Sequence, residues 1–242
     1  MKKIVAVIPA RYESSRFPGK PLALIAGKTM IQRVYEQVQK VKLLDEVVVA
    51  TDDNRIRREI EMHGGRVIMT GACKCGTERV YQAVQNIECD IVLNIQGDEP
   101  LIKGEMIQDL IRAITEEGVV MATLRKQITL KEEIDSPDIV KVVVDYEDNA
   151  LYFSRCSIPY CRDIADRRKY YKHIGVYAYE RAFLDKYMLM PEGFLENSEK
   201  LEQLRVLENG YKIKVWETIF DSIGVDIPEH IKRVEEELEN ER

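Results

Sequence analysis

Short apolar runs separated by amphipathic helical patterns are the feature that most restricts how this chain can fold. Residues 3–9 (KIVAVIP), 45–50 (DEVVVA), 66–69 (RVIM), 90–95 (DIVLNI) and 119–124 (VVMATL) are β-branched and apolar almost without alternation, as strands covered on both faces are. Between them Met30, Ile31, Val34, Val38 and Val41 recur at helical spacing, and Met106, Ile107, Leu110, Ile111 and Ile114 do the same. Strand and helix therefore alternate as βαβ units, which predicts an α/β fold built on a doubly wound, mostly parallel sheet. In such sheets ligands bind outside the carboxyl ends of the strands. The segments that follow the strands become the candidates for function.

Past residue 140 the pattern changes. VKVVVD (140–145) and ALYFS (150–154) lead into a basic stretch, and most of the 12 tyrosines fall between Tyr146 and Tyr187. This predicts a smaller second layer with a polar-aromatic surface, serving as a substrate pocket, a dimer contact or both, at about 150–190. From Pro228 onward Ile231, Val234 and Leu238 share one face of a charged terminal helix. With 242 residues and no repeat, linker or low-complexity tract, residues 1–242 are read as one domain.

Several classes are disfavoured. A formal net charge of −6 argues against a nucleic-acid binder, which wants a basic face. No apolar run approaches the roughly 20 residues of a membrane helix, and the run after Met1-Lys2-Lys3 is too short for a signal-peptide core. The expectation is a cytoplasmic protein without a membrane partner. Five cysteines, an odd number without an export signal, predict reduced thiols. Cys73 and Cys75 are too close for a structural zinc knuckle and have no second pair to join them.

Three strand-end segments carry the chemistry. PARYESSRFPGKP, residues 9–21, follows the first strand with Arg11, Arg16 and Lys20 beside serines and a glycine, the components that hold phosphates. It is not a Walker A loop: Gly27-Lys28-Thr29 has Leu22 at the first glycine position, and Gly71-x4-Gly76 is followed by Thr77. There is no G-x-G-x-x-G. NIQGDEP, residues 94–100, offers Asp98 as a ligand for a hard metal ion, although Gly-Asp-Glu-Pro also reads as a plain turn. SIGVDIPEH, residues 222–230, supplies Asp226, which can be a second carboxylate or the cap of the last helix.

VIPARYESSRFPGKPL, ATDD, CGTER, NIQGDEP, VKVVVD, ALYFSRCSIPY, HIGVYAY, LEQLRVLENG and GVDIPE occur in an order that resembles the 3-deoxy-manno-octulosonate (Kdo) cytidylyltransferases over nearly the whole chain. The opening Arg-x4-Arg-x-Pro-Gly-Lys is shared with cytidylyltransferases for sialic acids, whereas ALYFSR and LEQLR point to the Kdo branch. The resemblance implies a Rossmann-like nucleotidyltransferase fold and transfer of CMP from CTP to Kdo, with pyrophosphate released, for lipopolysaccharide biosynthesis. It implies catalytic roles for Arg16, Lys20 and Asp98, nucleotide contacts from Arg11, Gln96 and Arg79, and Mg2+ held by Asp98 and Asp226. It implies sugar-acid contacts from Arg155, His173, Tyr177, Glu202 and Gln203, and a homodimer. Cys75 stands where the family pattern has a serine, and a thiol is a weak hydrogen-bond partner, so no side-chain role is assigned to it. Without the resemblance, His173 reads equally as a hydrogen-bonded core histidine, and Glu202 with Arg205 as a solvated i, i+3 pair. His63 and His230 read as surface residues. A nucleotide-binding protein without catalysis and an interaction module are the readings of other classes; pyrophosphate release from CTP separates them from the enzyme.

Overall fold

The structure is a computed structural model that describes residues 2–14, 16–162 and 169–240. Ser15 of the basic loop and residues 163–168 of the candidate substrate subregion lie outside the described residues. The chain forms two compact units, one of residues 1–108 with 221–242 and one of residues 109–220. No helix is long and apolar enough to cross a membrane among the described residues.

The first unit opens with β1 (Ile4–Ala10), the small hairpin strands β2 (Leu24–Ile25) and β3 (Lys28–Thr29), and α1 (Met30–Gln39). β4 (Glu46–Thr51), α2 (Asn54–Met62), β5 (Arg66–Met69), α3 (Gly76–Ala83) and β6 (Ile91–Asn94) follow, and α4 (Gly104–Thr115) begins in this unit and ends in the second. Strands run in the order β6-β1-β4-β5, every pair parallel. β1 is buried along its whole length, which is why it shows no polar alternation. α1 buries Met30, Ile31, Val34 and Val38, and Thr29 caps it by accepting from the Gln32 amide. The register pairs Ala10 with Thr51 and Thr51 with Met69. The parallel ladder thus delivers the basic loop, the Asp52-Asp53 turn, residues 70–76 and the NIQGDEP loop to one edge. Gly97 is required there, because a β-carbon would stand 2.8 Å from the Pro9 carbonyl oxygen.

The second unit holds β7 (Met121–Gln127), α5 (Lys131–Asp135), β8 (Lys141–Val144), β9 (Ala150–Ser154) and β10 (Tyr171–Glu180). It continues with α6 (Arg181–Tyr187), α7 (Phe194–Glu199), α8 (Leu204–Glu208) and β11 (Lys214–Glu217). β7 pairs in parallel with β11 but antiparallel with β10, and β8 and β9 form an antiparallel ladder. The apolar run at 119–124 is therefore a strand shifted to 121–127 whose partners run in both directions; an unbroken apolar run encodes burial, not the direction of its neighbour. The tyrosine-rich stretch also differs from the polar-aromatic surface expected of it. Tyr146 and Tyr160 are exposed, but Tyr170, Tyr179 and Tyr187 are buried. The rings of His173, Tyr177, Tyr179 and Tyr187 follow one another at centroid distances of 5.5, 6.2 and 6.2 Å. The row runs from the half-buried His173 and Tyr177 to the buried Tyr179 of β10 and Tyr187, across a ladder whose register shifts between Ile174 and Tyr177. α9 (Glu229–Asn240) closes the first unit, packing Val234 with Ile25, Met30, Leu101 and Val225.

Candidate active site

At the strand edge of the first unit, the basic loop is closed by a hydrogen bond in which the Gly19 amide donates to the Tyr12 carbonyl at 2.8 Å. Gly19 has φ 74° and Tyr12 ring atoms 3.1 Å from where a β-carbon would stand, so glycine is the residue the turn needs. The Tyr12 ring also carries the Arg55 guanidinium 3.2 Å from its centroid. Asp53 holds that guanidinium through both carboxylate oxygens, at 3.0 and 2.6 Å. A short 3-10 turn, Lys20–Leu22, begins directly after Gly19. The Lys20 ammonium reaches Asp98 Oδ2 at 2.6 Å and Asp226 Oδ1 at 3.5 Å, and Arg16 reaches the same Asp226 oxygen at 3.2 Å. The Val225 amide donates to the Asp98 carbonyl at 2.9 Å, joining the two acid-bearing loops through main chain. Arg16, Lys20, Asp98 and Asp226 are thus brought together. The Asp226 carboxylate is turned to Arg16 and Lys20.

Lys20 is the enclosed member of this group, its side chain 14% exposed, while Asp98 and Asp226 are 32% and 48% exposed. Two carboxylates thus face one ammonium, and both are partly open to solvent. Sequence reasoning passed over Glu99, which accepts a short hydrogen bond from the Ser222 hydroxyl. Burial, and secondarily the Asp98 charge, push its carboxyl up to about 7. The residue as a whole keeps some exposure, but three neighbouring aspartates act on it in the same direction as burial. A second acid directly after Asp98 was the available signal.

The nucleotide-side candidates are arranged differently. Arg11 is exposed just beyond β1. Gln96 donates from Nε2 to Asn94 Oδ1 at 3.0 Å, and its Oε1 faces Gly76, where a β-carbon would lie 3.8 Å away. Its carboxamide therefore sits against the start of the CGTER turn. Arg79 is buried, with its guanidinium given to Asp52 Oδ2 at 2.7 Å and Thr70 Oγ1 at 2.5 Å, so it ties that turn to the ATDD loop. Cys75 occupies the N-cap position of α3 without capping it through its side chain. His63 lies beside Glu59 at 3.5 Å on the surface, and His230 Nδ1 faces the Gly224 carbonyl at 3.2 Å.

In the second unit, Gln203 is 3% exposed and its Oε1 accepts from the Tyr177 hydroxyl at 3.2 Å. Its Nε2 is buried without a hydrogen-bond partner among the described residues. Such an orphan donor costs about 1–3 kcal/mol unless a ligand meets it. The Tyr187 hydroxyl donates to the Glu202 carbonyl at 3.3 Å. Arg205 pairs with the buried Glu196, Nε to Oε2 at 2.7 Å; its partner is Glu196 and not Glu202, as a solvated pair would have required. Arg155 donates from Nε to the Glu199 carbonyl and from Nη1 to the Pro137 carbonyl, both at 2.9 Å.

His173 Nε2 meets Thr123 Oγ1 at 2.9 Å, with Phe153 edge-on at 4.9 Å. Although the residue is not wholly inaccessible, its imidazole lies among Phe153, Tyr177 and Thr123, and burial pushes its pKa down to about 3. The folded protein thus keeps the ring neutral where an unfolded chain, with its usual value of 6.5, takes up a proton. The stability this residue contributes is complete above about pH 6.5 and is lost as the pH falls toward 3. Melting temperature should therefore fall with acid over that window, and His173→Gln should flatten the slope. An identical slope in the variant would remove His173 as the source.

A family model described as cytidylyltransferase matches residues 5–214. The 3-deoxy-manno-octulosonate cytidylyltransferase of Syntrophus aciditrophicus is 50% identical, covering 98% of this chain and 98% of its own. That of Geotalea uraniireducens is 48% identical, covering 98% and 99%. Among solved structures, a CMP:2-keto-3-deoxy-manno-octonic acid synthetase complexed with CTP superposes with a TM-score of 0.94 at 42% identity, over 99% of this chain and 100% of that one. A 4-diphosphocytidyl-2C-methyl-D-erythritol synthase from Anaerococcus prevotii, at 18% identity and a TM-score of 0.65, shares the fold. The chain belongs to the cytidylyltransferases and, within them, to the 3-deoxy-manno-octulosonate cytidylyltransferase family.

Proposed function

We propose that the protein joins CMP to Kdo for lipopolysaccharide biosynthesis: the anomeric hydroxyl of Kdo attacks the α-phosphorus of CTP and gives up its proton to solvent, the bond from that phosphorus to the bridging oxygen breaks, and pyrophosphate leaves with the electron pair. Such transfers ask for alignment and neutralisation of charge more than for covalent chemistry. The observation that carries the reading is the convergence of Lys20 and Arg16 with Asp98 and Asp226 at the strand edge. Lys20 and Arg16 neutralise the triphosphate and the departing pyrophosphate, and Arg11 adds charge at the mouth of the loop. Gln96, a side chain with both a donor and an acceptor, suits a pyrimidine edge, and Arg79 braces the turn behind it.

The donor set also fits magnesium. Two carboxylates already gathered around one cation match an ion that takes one or two protein acids and draws its remaining oxygens from water and phosphate. Asp98 and Asp226 are the residues that would hold it. When bound it would supply positive charge to the α-phosphate. For the sugar acid, Arg155 suits the carboxylate, while Tyr177, His173, Glu202 and Gln203 suit hydroxyls. The orphaned Gln203 amide supports this, since a bound hydroxyl or carboxylate oxygen would satisfy it. Gln203→Leu is expected to raise KM for Kdo about tenfold or more, with KM for CTP within twofold; an equal change in both would take Gln203 out of the sugar site.

Release of pyrophosphate from CTP in the presence of Kdo, with a sialic acid and UTP as controls, tests the activity directly. Turnover with the sialic acid alone would move the protein to the neighbouring branch. We place this chemistry in the cytoplasm and in a homodimer, the latter checked by sedimentation.

A further inference from the structure

Lys141 has no part in the chemistry above, yet it is among the largest side chains with no exposure at all. It opens the apolar strand β8, in the sequence Val-Lys-Val-Val-Val, where a methionine would fill the space without a charge. A buried ammonium is tolerated only when its donors are used, and an ammonium has three. Lys141 Nζ donates to three main-chain carbonyls, those of Ser136 at 2.7 Å, Ile139 at 2.6 Å and Arg155 at 2.7 Å. Burial also draws its pKa down from the usual lysine value.

These three bonds fasten the 136–139 turn to the end of β9, and both of the things they fasten act on Arg155. The turn presents the Pro137 carbonyl, which takes Arg155 Nη1. On the other side Glu199 receives the Arg155 amide at 3.0 Å and the Ser154 hydroxyl at 2.6 Å through its carboxylate, and Arg155 Nε through its own carbonyl. The Arg155 carbonyl is therefore gripped by Lys141 and its amide by Glu199, while its guanidinium rests on two neutral carbonyls. Among the described residues no carboxylate lies within ion-pair distance of that guanidinium. It is oriented without being discharged, the condition under which an arginine keeps its charge for an incoming carboxylate.

We infer that Lys141, together with Glu199, is a positioning residue that sets Arg155 for the carboxylate of the sugar acid. This rests on the reading of Arg155 as a sugar-acid contact. The test uses the full chain and compares Lys141→Met, Glu199→Gln, Arg155→Ala and the double variant Lys141→Met/Arg155→Ala in pyrophosphate-release kinetics, varying Kdo and CTP separately, with melts on the same preparations. Lys141→Met and Glu199→Gln should each raise KM for Kdo about tenfold or more while kcat and KM for CTP stay within about twofold. The double variant should be no worse toward Kdo than Arg155→Ala, because a clamp has nothing to add once its object is gone. A lower melting temperature with an unchanged KM for Kdo in Lys141→Met would make the lysine a strut only and overturn the inference, as would effects that multiply in the double variant. If Lys141→Met fails to fold, Glu199→Gln decides alone, and a normal KM for Kdo there overturns the clamp. A raised KM in Arg155→Ala with normal values in both clamp variants sinks the clamp but leaves the Arg155 reading intact. A normal KM in Arg155→Ala sinks both.

Discussion

Asparagine in place of Asp98 or Asp226 is expected to lower kcat about a hundredfold to a thousandfold, with melting temperature changed by only a few degrees. Each change keeps the shape of the side chain and deletes one negative charge facing Lys20. The expected loss corresponds to roughly 2.7–4 kcal/mol, the scale on which one preorganised charge or donor acts on a transition state. Little stability should go with it, because both carboxylates are partly exposed and such pairs contribute at most about 1 kcal/mol. Removing one of two converging carboxylates also relieves their mutual repulsion. Pyrophosphate release measured over a magnesium titration checks the reading: wild type should depend strictly on the ion, and each variant should need far more of it or fail at any concentration. Normal turnover in Asp226→Asn would return that residue to a loop anchor.

Lys20→Ala should lower turnover by a similar factor, and its signature in stability should differ. The ammonium is the group that Asp98 and Asp226 share, so the variant strips Asp98 of its cation and leaves Asp226 with Arg16 alone. At neutral pH and without divalent ions the variant should melt lower than wild type. Added magnesium should recover more of that loss than it adds to wild type, because the ion takes over the neutralisation. It should not restore kcat, because in the proposed reaction the Lys20 ammonium, and not the ion, meets the leaving pyrophosphate. Kinetics and melts with and without magnesium on one preparation separate the two effects. Full activity in Lys20→Ala would remove the phosphate clamp.

Much of this site was legible before any coordinates. The basic loop, the NIQGDEP loop and the GVDIPE segment each stand out because charged and turn-forming residues gather directly beside apolar segments, and ligands bind at the carboxyl ends of such strands. The individual roles were less legible. Arg79 and Arg155 look alike as isolated arginines in motifs, yet Arg79 is spent on Asp52 and Thr70, whereas Arg155 is held by neutral carbonyls. Glu99 looks like one more turn acid until the Ser222 segment, 123 residues away, closes over it.

The sequence by itself determined the parallel strands of the first unit, the helices α1, α4 and α9, and the loops that carry charge, because period and capping act between residues a few positions apart; α2, α3 and the β2–β3 hairpin emerged only in the structure. Tertiary structure decided which charges meet. Lys20 and Asp98 are 78 residues apart and Lys20 and Asp226 are 206 apart; the first two share an edge because β1 and β6 are parallel, and Asp226 joins them because the Val225 amide bonds to the Asp98 carbonyl. It also decided that β7 takes an antiparallel neighbour, that Tyr170, Tyr179 and Tyr187 are buried while Tyr146 and Tyr160 are exposed, and that Lys141 is buried among carbonyls. Those outcomes depend on partners and on exclusion of water, and neither is a property of any short stretch of chain.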